Sequence, residues 1–171
     1  MTIKNRHRYH GLCRGLVSVE KLNLILSMTQ ICGDVVKRGL HAHFVNGFGY
    51  EDTAMIYYSV SSNFYRDIKK IRNLAANYEE LQDHGQVINE LPPGEVPKRK
   101  LELLIDSTSM RSEKVINMLC LYFVQGKTKN EIIDNHGVTN SNFNREIKKI
   151  QSVADKYEAI RQAEINQKSD R

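Results

Sequence analysis

The sequence predicts an all-α protein made of two tandem helix-turn-helix modules of about four to five helices each. Three observations lead there. The phrase SSNFYRDIKKI at 61–71 returns as NSNFNREIKKI at 140–150, 79 residues later. Shifted by that interval without a gap, 21–81 and 100–160 agree at 20 positions, among them Leu22/Leu101, Leu40/Leu119, Phe44/Phe123 and Gly47/Gly126. Between the copies, LQDHGQVINELPPGEVPKR holds all three prolines of the chain, and adjacent prolines stop a helix and favour an extended segment. The expected organisation is a basic arm at 1–17, a first module at 18–81, a linker at 82–97, a second module at 98–162 and a polar, frayed tail at 163–171.

The second copy shows its elements more clearly. A helix over about 98–106 places Leu101, Leu104 and Ile105 on one side. A second starts near Ser112, an N-cap residue type, and carries Val115, Leu119, Tyr122 and Phe123 at helical spacing toward the stop at Gly126. Thr128 and Glu131 fit a capping box for a third helix. That helix ends by Gly137, which can adopt the positive φ of a sharp turn. A fourth begins around 139–140 and runs to about 161. A short helix, a glycine turn and a further helix outline a helix-turn-helix, although the same capping signals serve any αα-hairpin.

At 100° per residue the repeated phrase separates into two faces. Phe64, Ile68, Ile71, Ala75 and Tyr78 form one apolar stripe that must pack inward. Ser62, Arg66, Lys69 and Asn73 lie opposite, flanked by Tyr65 and Lys70. The second copy presents Ser141, Arg145, Lys148 and Ser152 there, flanked by Asn144 and Lys149. A solvated face is the ordinary reading of such charges. Here the copies keep the same outward residue types while most other positions differ, which favours a shared ligand. Arginine can pair with guanine edges, lysine neutralises phosphates, and Ser and Asn can bond to either. A membrane helix would set large apolar residues beside the cations, and a single-strand binder would expose stacking aromatics in both copies. Double-stranded DNA is the expected partner. The expected contacts are Ser62, Asn63, Tyr65, Arg66, Lys69 and Lys70 on one recognition helix, 61–73, and Ser141, Asn142, Asn144, Arg145, Lys148 and Lys149 on the other, 140–152.

With SEKVI just upstream, the stretch YFVQGKTKNEIIDNHGVTNSNFNREIKKI resembles the core of the PapB-like regulators of bacterial fimbrial (adhesin) operons. The resemblance covers 112–150 well. It implies a small helical DNA-binding regulator of adhesin transcription that self-associates along DNA, with 140–150 as recognition helix and Arg145, Lys148 and Lys149 toward the duplex. The first copy departs from that pattern at the turn. Tyr58 and Ser59 stand where the second has Gly137, Val60 sits one residue nearer the phenylalanine than Val138 does, and Gly49 stands where the second has Thr128. A fused pair also departs from a pattern of one unit per chain.

Composition fits this reading. The chain has 171 residues, is 40% hydrophobic and 26% charged, and carries a net charge of +5 with a pI near 9.1. No apolar run reaches the ~20 residues of a membrane span, and no apolar stretch follows the basic start MTIKNRHRYHG, so no membrane partner or secretory signal is expected and the cytoplasm, near the nucleoid, is the expected location. Cys13, Cys32 and Cys120 form no CxxC pair, and grouping Cys32 with His41 and His43 lacks the tight spacing of zinc ligands, so no metal or cofactor is expected. None of the six histidines has a nucleophile or carboxylate partner at readable spacing, so no catalytic residues are expected. The competing function is a helical interaction module that acts on a regulator or RNA polymerase without touching DNA.

Overall fold

Polar caps and apolar stripes at helical spacing produce eight α-helices among the described residues of the computed structural model, which are 12–58, 60–83 and 87–169. No strand occurs among them. In order they are α1 (Val19–Ser27), α2 (Asp34–Phe44), α3 (Tyr50–Tyr57), α4 (Ser61–Asp83), α5 (Lys98–Asp106), α6 (Glu113–Phe123), α7 (Lys129–His136) and α8 (Asn140–Ser169). Each of α5 to α8 begins 79 residues after its counterpart among α1 to α4. The chain divides after Glu79 into two compact units, each with four helices among the described residues.

Local chemistry explains the boundaries. Ser18 caps α1 by accepting a hydrogen bond from the Lys21 amide at 3.2 Å. Thr128 and Glu131 form a complete capping box on α7. Gly137 ends that helix in the left-handed region, at φ 59° and ψ 42°. Ser112 occupies the N-cap of α6, yet its side chain makes no capping bond. In the first unit, α3 forms without the threonine cap. Gly49 takes the N-cap, and Thr53 Oγ1 reaches back to donate to its carbonyl at 2.7 Å.

The predicted stripe is the core of the first unit: Phe64, Ile68, Ile71, Ala75 and Tyr78 are all buried, together with Leu22, Ile25, Leu40 and Phe44. The second unit buries Phe143, Ile150, Ala154 and Tyr157 against Leu101, Leu104, Leu119 and Phe123. Each buried Leu, Ile or Phe among them contributes about 1.5–3 kcal/mol by leaving water. Ile147, the counterpart of Ile68, is only half-buried.

Three expected boundaries differ from the observed ones. Residues 12–17 are not a free arm: Leu12 and Val17 are buried, and the Val17 amide donates to the Phe44 carbonyl at 3.2 Å. The basic positions Lys4, Arg6 and Arg8 lie outside the described residues. The expected linker is likewise part of the second unit. Ile88 and Val96 are buried, the Val96 amide donates to the Phe123 carbonyl at 3.1 Å, and the Ile88 amide donates to Glu158 Oε2 at 3.1 Å. Lys100 is buried and donates to the carbonyls of Val87 and Glu90, both at 2.9 Å. The prolines exclude a helix there, but the amides around them remain free to pair. The expected tail is also helical, because α8 continues to Ser169 with no glycine or proline after Arg161 to stop it.

In both units a short strap ahead of the first helix crosses the end of the second helix, glycine against glycine. Gly15 and Gly47 have φ of 75° and 80°, and Gly94 and Gly126 have 82° and 70°. A Cβ on Gly15 would come within 3.1 Å of the Gly47 Cα, and one on Gly94 within 2.9 Å of the Gly126 Cα. Only glycine permits both the backbone conformation and the approach.

Candidate nucleic-acid interface

In the second unit, α7 and α8 are joined by the three residues Gly137, Val138 and Thr139. Thr139 Oγ1 accepts a bond from the Asn142 amide at 3.3 Å and so caps α8. Phe143 is 1% exposed and sets the rotation of the helix, with its ring edge-on to Tyr122 at 5.8 Å. This turns Ser141, Asn142, Arg145, Lys148 and Lys149 outward. Ser141, Asn142, Lys148 and Lys149 are exposed, and the Arg145 side chain is 66% exposed. Asn144 is half-buried instead. Its Oδ1 accepts from Lys129 Nζ at 2.9 Å, and its Nδ2 donates to Asn140 Oδ1 at 2.8 Å.

The first unit reaches the same orientation with different residues. The connection between α3 and α4 contains no left-handed residue among its described positions, and Tyr58 is extended at φ −126°. Tyr58 and Tyr50 supply the rigidity. Their rings lie 4.7 Å and 5.1 Å from that of Phe64, and Tyr50 Oη donates to the Ser61 carbonyl at 3.1 Å. Ser62, Tyr65, Arg66, Lys69 and Lys70 are exposed and Asn63 is half-buried. Arg66 and Lys70 also line a shallow cleft with Ile31, Cys32 and Val36.

Neither arginine is drawn into the protein, the Arg66 side chain being 75% exposed. Their carboxylate neighbours are features that the sequence reading missed. Asp67 stands 3.9 Å from Arg66, and its Oδ2 accepts a long bond of 3.4 Å from Tyr58 Oη. Burial, reinforced by the Asp67 charge, pushes the Tyr58 phenol well above its usual range. Glu146, at the matching position, reaches further: Arg145 lies 3.3 Å away and Lys149 2.9 Å away. An acidic residue directly after each arginine of the repeated phrase was the available signal.

Behind Phe64 lies His43, where the second unit has Tyr122. His43 is buried edge-on to Phe44 and Phe64, with ring centroids 5.0 and 5.5 Å apart. Its Nδ1 donates to the Phe48 carbonyl at 3.0 Å, and its Nε2 has no partner among the described residues. Burial lowers its pKa against the opposing effect of that bond, and the positive charges of Arg72 and Arg14 lower it further. The unfolded chain therefore takes up this proton near pH 6.5, whereas the folded chain resists it to lower pH. Stability of the first unit is expected to fall as pH drops below that value. Urea midpoints measured at about pH 7 and about pH 5 check this, and His43→Tyr is expected to remove the difference.

Among the described residues no group of three His, Cys, Asp or Glu could hold a metal ion, and no helix is long and apolar enough to cross a membrane.

Comparison with known proteins relates the second unit to a family of regulators. Residues 78–163 match the PapB family, described as adhesin biosynthesis transcription regulatory proteins, so the match takes in α5, α6 and α7 and most of α8. The regulatory protein FanB of Escherichia coli is 45% identical over 65 residues, which are 38% of this chain and 66% of FanB. The F1845 adhesin operon regulatory protein of Escherichia coli is 38% identical over 61 residues, 36% of this chain and 72% of that protein. No solved structure matches the chain significantly.

Proposed function

Because the chain belongs to the PapB family of adhesin biosynthesis transcription regulators, a family of regulators and not of enzymes, we propose that it controls an adhesin operon by binding duplex DNA through the outer faces of α4 and α8. The observation that carries this is the pair of outward cation rows. Arg66, Lys69 and Lys70 on one helix, and Arg145, Lys148 and Lys149 on the other, stand above packed inner faces. Each helix is thus held by Phe64 or Phe143 and offers the groove Ser, Asn, Arg and Lys, residue types that fix register on phosphates and read base edges. In this reading the α3–α4 and α7–α8 pairs are two tandem helix-turn-helix modules. Holding two weak faces on one chain lets overall affinity exceed that of either unit alone by about 100–10,000-fold. Self-association along the DNA and a place in the cytoplasm, at the nucleoid, belong to the same proposal.

Binding is expected to weaken steeply with salt. If the six cations each neutralise one phosphate, the logarithm of affinity falls with a slope of roughly −5 against the logarithm of salt concentration. Arg66→Ala and Arg145→Ala are each expected to reduce binding with helicity unchanged. A fluorescence titration across salt concentrations tests both, and a flat dependence would contradict direct DNA contact.

One observation favours the alternative of a protein-binding module. Met55 and Ile56 on α3 are 85% and 62% exposed, where α7 has Asp134 and Asn135. That reading predicts that charge reversal at Lys69 and Lys148 leaves regulation intact.

A further inference from the structure

Positions 62, 63, 66, 69 and 70 of α4 carry the same residues as the positions 79 further on in α8, whereas position 65 differs. Tyr65 is exposed, and its counterpart is Asn144, whose amide is occupied at both ends by Lys129 and Asn140. Tyr65 can offer a ring to a thymine methyl and a hydroxyl to a phosphate. Asn144 must first give up bonds inside its own unit.

The carboxylates beneath the faces differ in the same sense. Glu146 is one methylene longer than Asp67 and bonds both Lys149, with each oxygen at 2.9 Å, and Arg145 at 3.3 Å. Asp67 is too short for this. It stands at the limit of an ion pair with Arg66, at 3.9 Å, and Lys70 has no ion pair among the described residues. The overall charge is divided the same way. Residues 1–79 hold eleven Lys and Arg against six Asp and Glu, whereas 80–171 hold fourteen of each. All of the net charge of +5 therefore lies in the first unit.

We infer that the two units are unequal readers of DNA, the first holding the duplex more tightly through Arg66, Lys70 and Tyr65, and the second held back by Glu146. This rests on the proposed DNA binding. Exposed ion pairs are weak, so releasing Arg145 and Lys149 from Glu146 has a modest effect, while losing an arginine that holds only a long ion pair has a larger one.

The test uses the full chain, duplex pools with a randomised centre, and anisotropy at one fixed salt concentration. Helicity of every variant is checked by circular dichroism. Arg66→Ala is expected to weaken binding by about tenfold or more, and Arg145→Ala by about threefold. Glu146→Gln is expected to tighten it about two- to fivefold, with Asp67→Asn within about twofold of the unaltered chain. Sequences selected by Tyr65→Asn are expected to lose one preferred position that the unaltered chain selects. Equal losses from the two arginine variants, or no gain from Glu146→Gln, would overturn the inference while leaving DNA binding in place. Absence of any duplex binding by the unaltered chain would overturn the proposed function and this inference with it.

Discussion

Phe143→Ala is expected to destabilise the second unit by about 3–5 kcal/mol. The ring is 1% exposed and meets Tyr122 edge-on. Removing it takes away the transfer energy of the ring and leaves a cavity that the surrounding packed helices refill poorly. Small domains have about 5–15 kcal/mol in all, so much of the unit's stability is at stake. Denaturant unfolding followed by far-ultraviolet circular dichroism measures the loss, and the two units are expected to unfold as separate transitions. Phe64→Ala is expected to act equally on the first unit, where the ring also holds Tyr50, Tyr58 and His43. Ile147→Ala, at a half-buried site, provides the contrast, with a loss of about 1 kcal/mol. A loss below that level for Phe143→Ala would show that the ring does not anchor the outer face of α8.

Gly94→Ala is expected to cost roughly 2–4 kcal/mol, from two separable causes. The first is conformational, since φ of 82° is unfavourable for any L side chain. The second is steric, since the new Cβ would sit 2.9 Å from the Gly126 Cα, and backbone cannot rotate away as a side chain can. Gly137→Ala separates them. Gly137 also has a positive φ, of 59°, but a methyl there would meet nothing within 4 Å, so a loss of only about 1 kcal/mol is expected. Urea midpoints for the two variants give the comparison. Equal losses would mean that the glycine contact tolerates a methyl and that conformation alone is responsible.

Much of this fold was legible because its signals are local. The Thr128–Glu131 box, Gly137 and the Phe-Ile-Ile stripe each act within one or two helical turns, so residue type and spacing were enough. The outward direction of Arg66 and Arg145 followed from helical geometry once the stripe was known to face inward. The straps were not legible, because a loop's partners are distant in sequence and prolines mark only what a segment cannot become. The same 79-residue shift nevertheless pairs Leu12 with Leu91, Gly15 with Gly94 and Val17 with Val96, ahead of the stretch in which the repeat is obvious. The withdrawal of Asn144 and the reach of Glu146 depend on rotamers and on a lysine from another helix, and spacing within α8 does not reveal either.

The glycine crossings also decide where this polypeptide can be cut. A fragment started at the first residue of α5 would lack the buried Val96 and Ile88, leave the Phe123 carbonyl without its amide partners and take the Ile88 amide from Glu158 on α8. A soluble version of the C-terminal half should therefore begin upstream of Val87, and the stretch shared with the adhesin regulators, opening at residue 78, already includes what such a fragment needs.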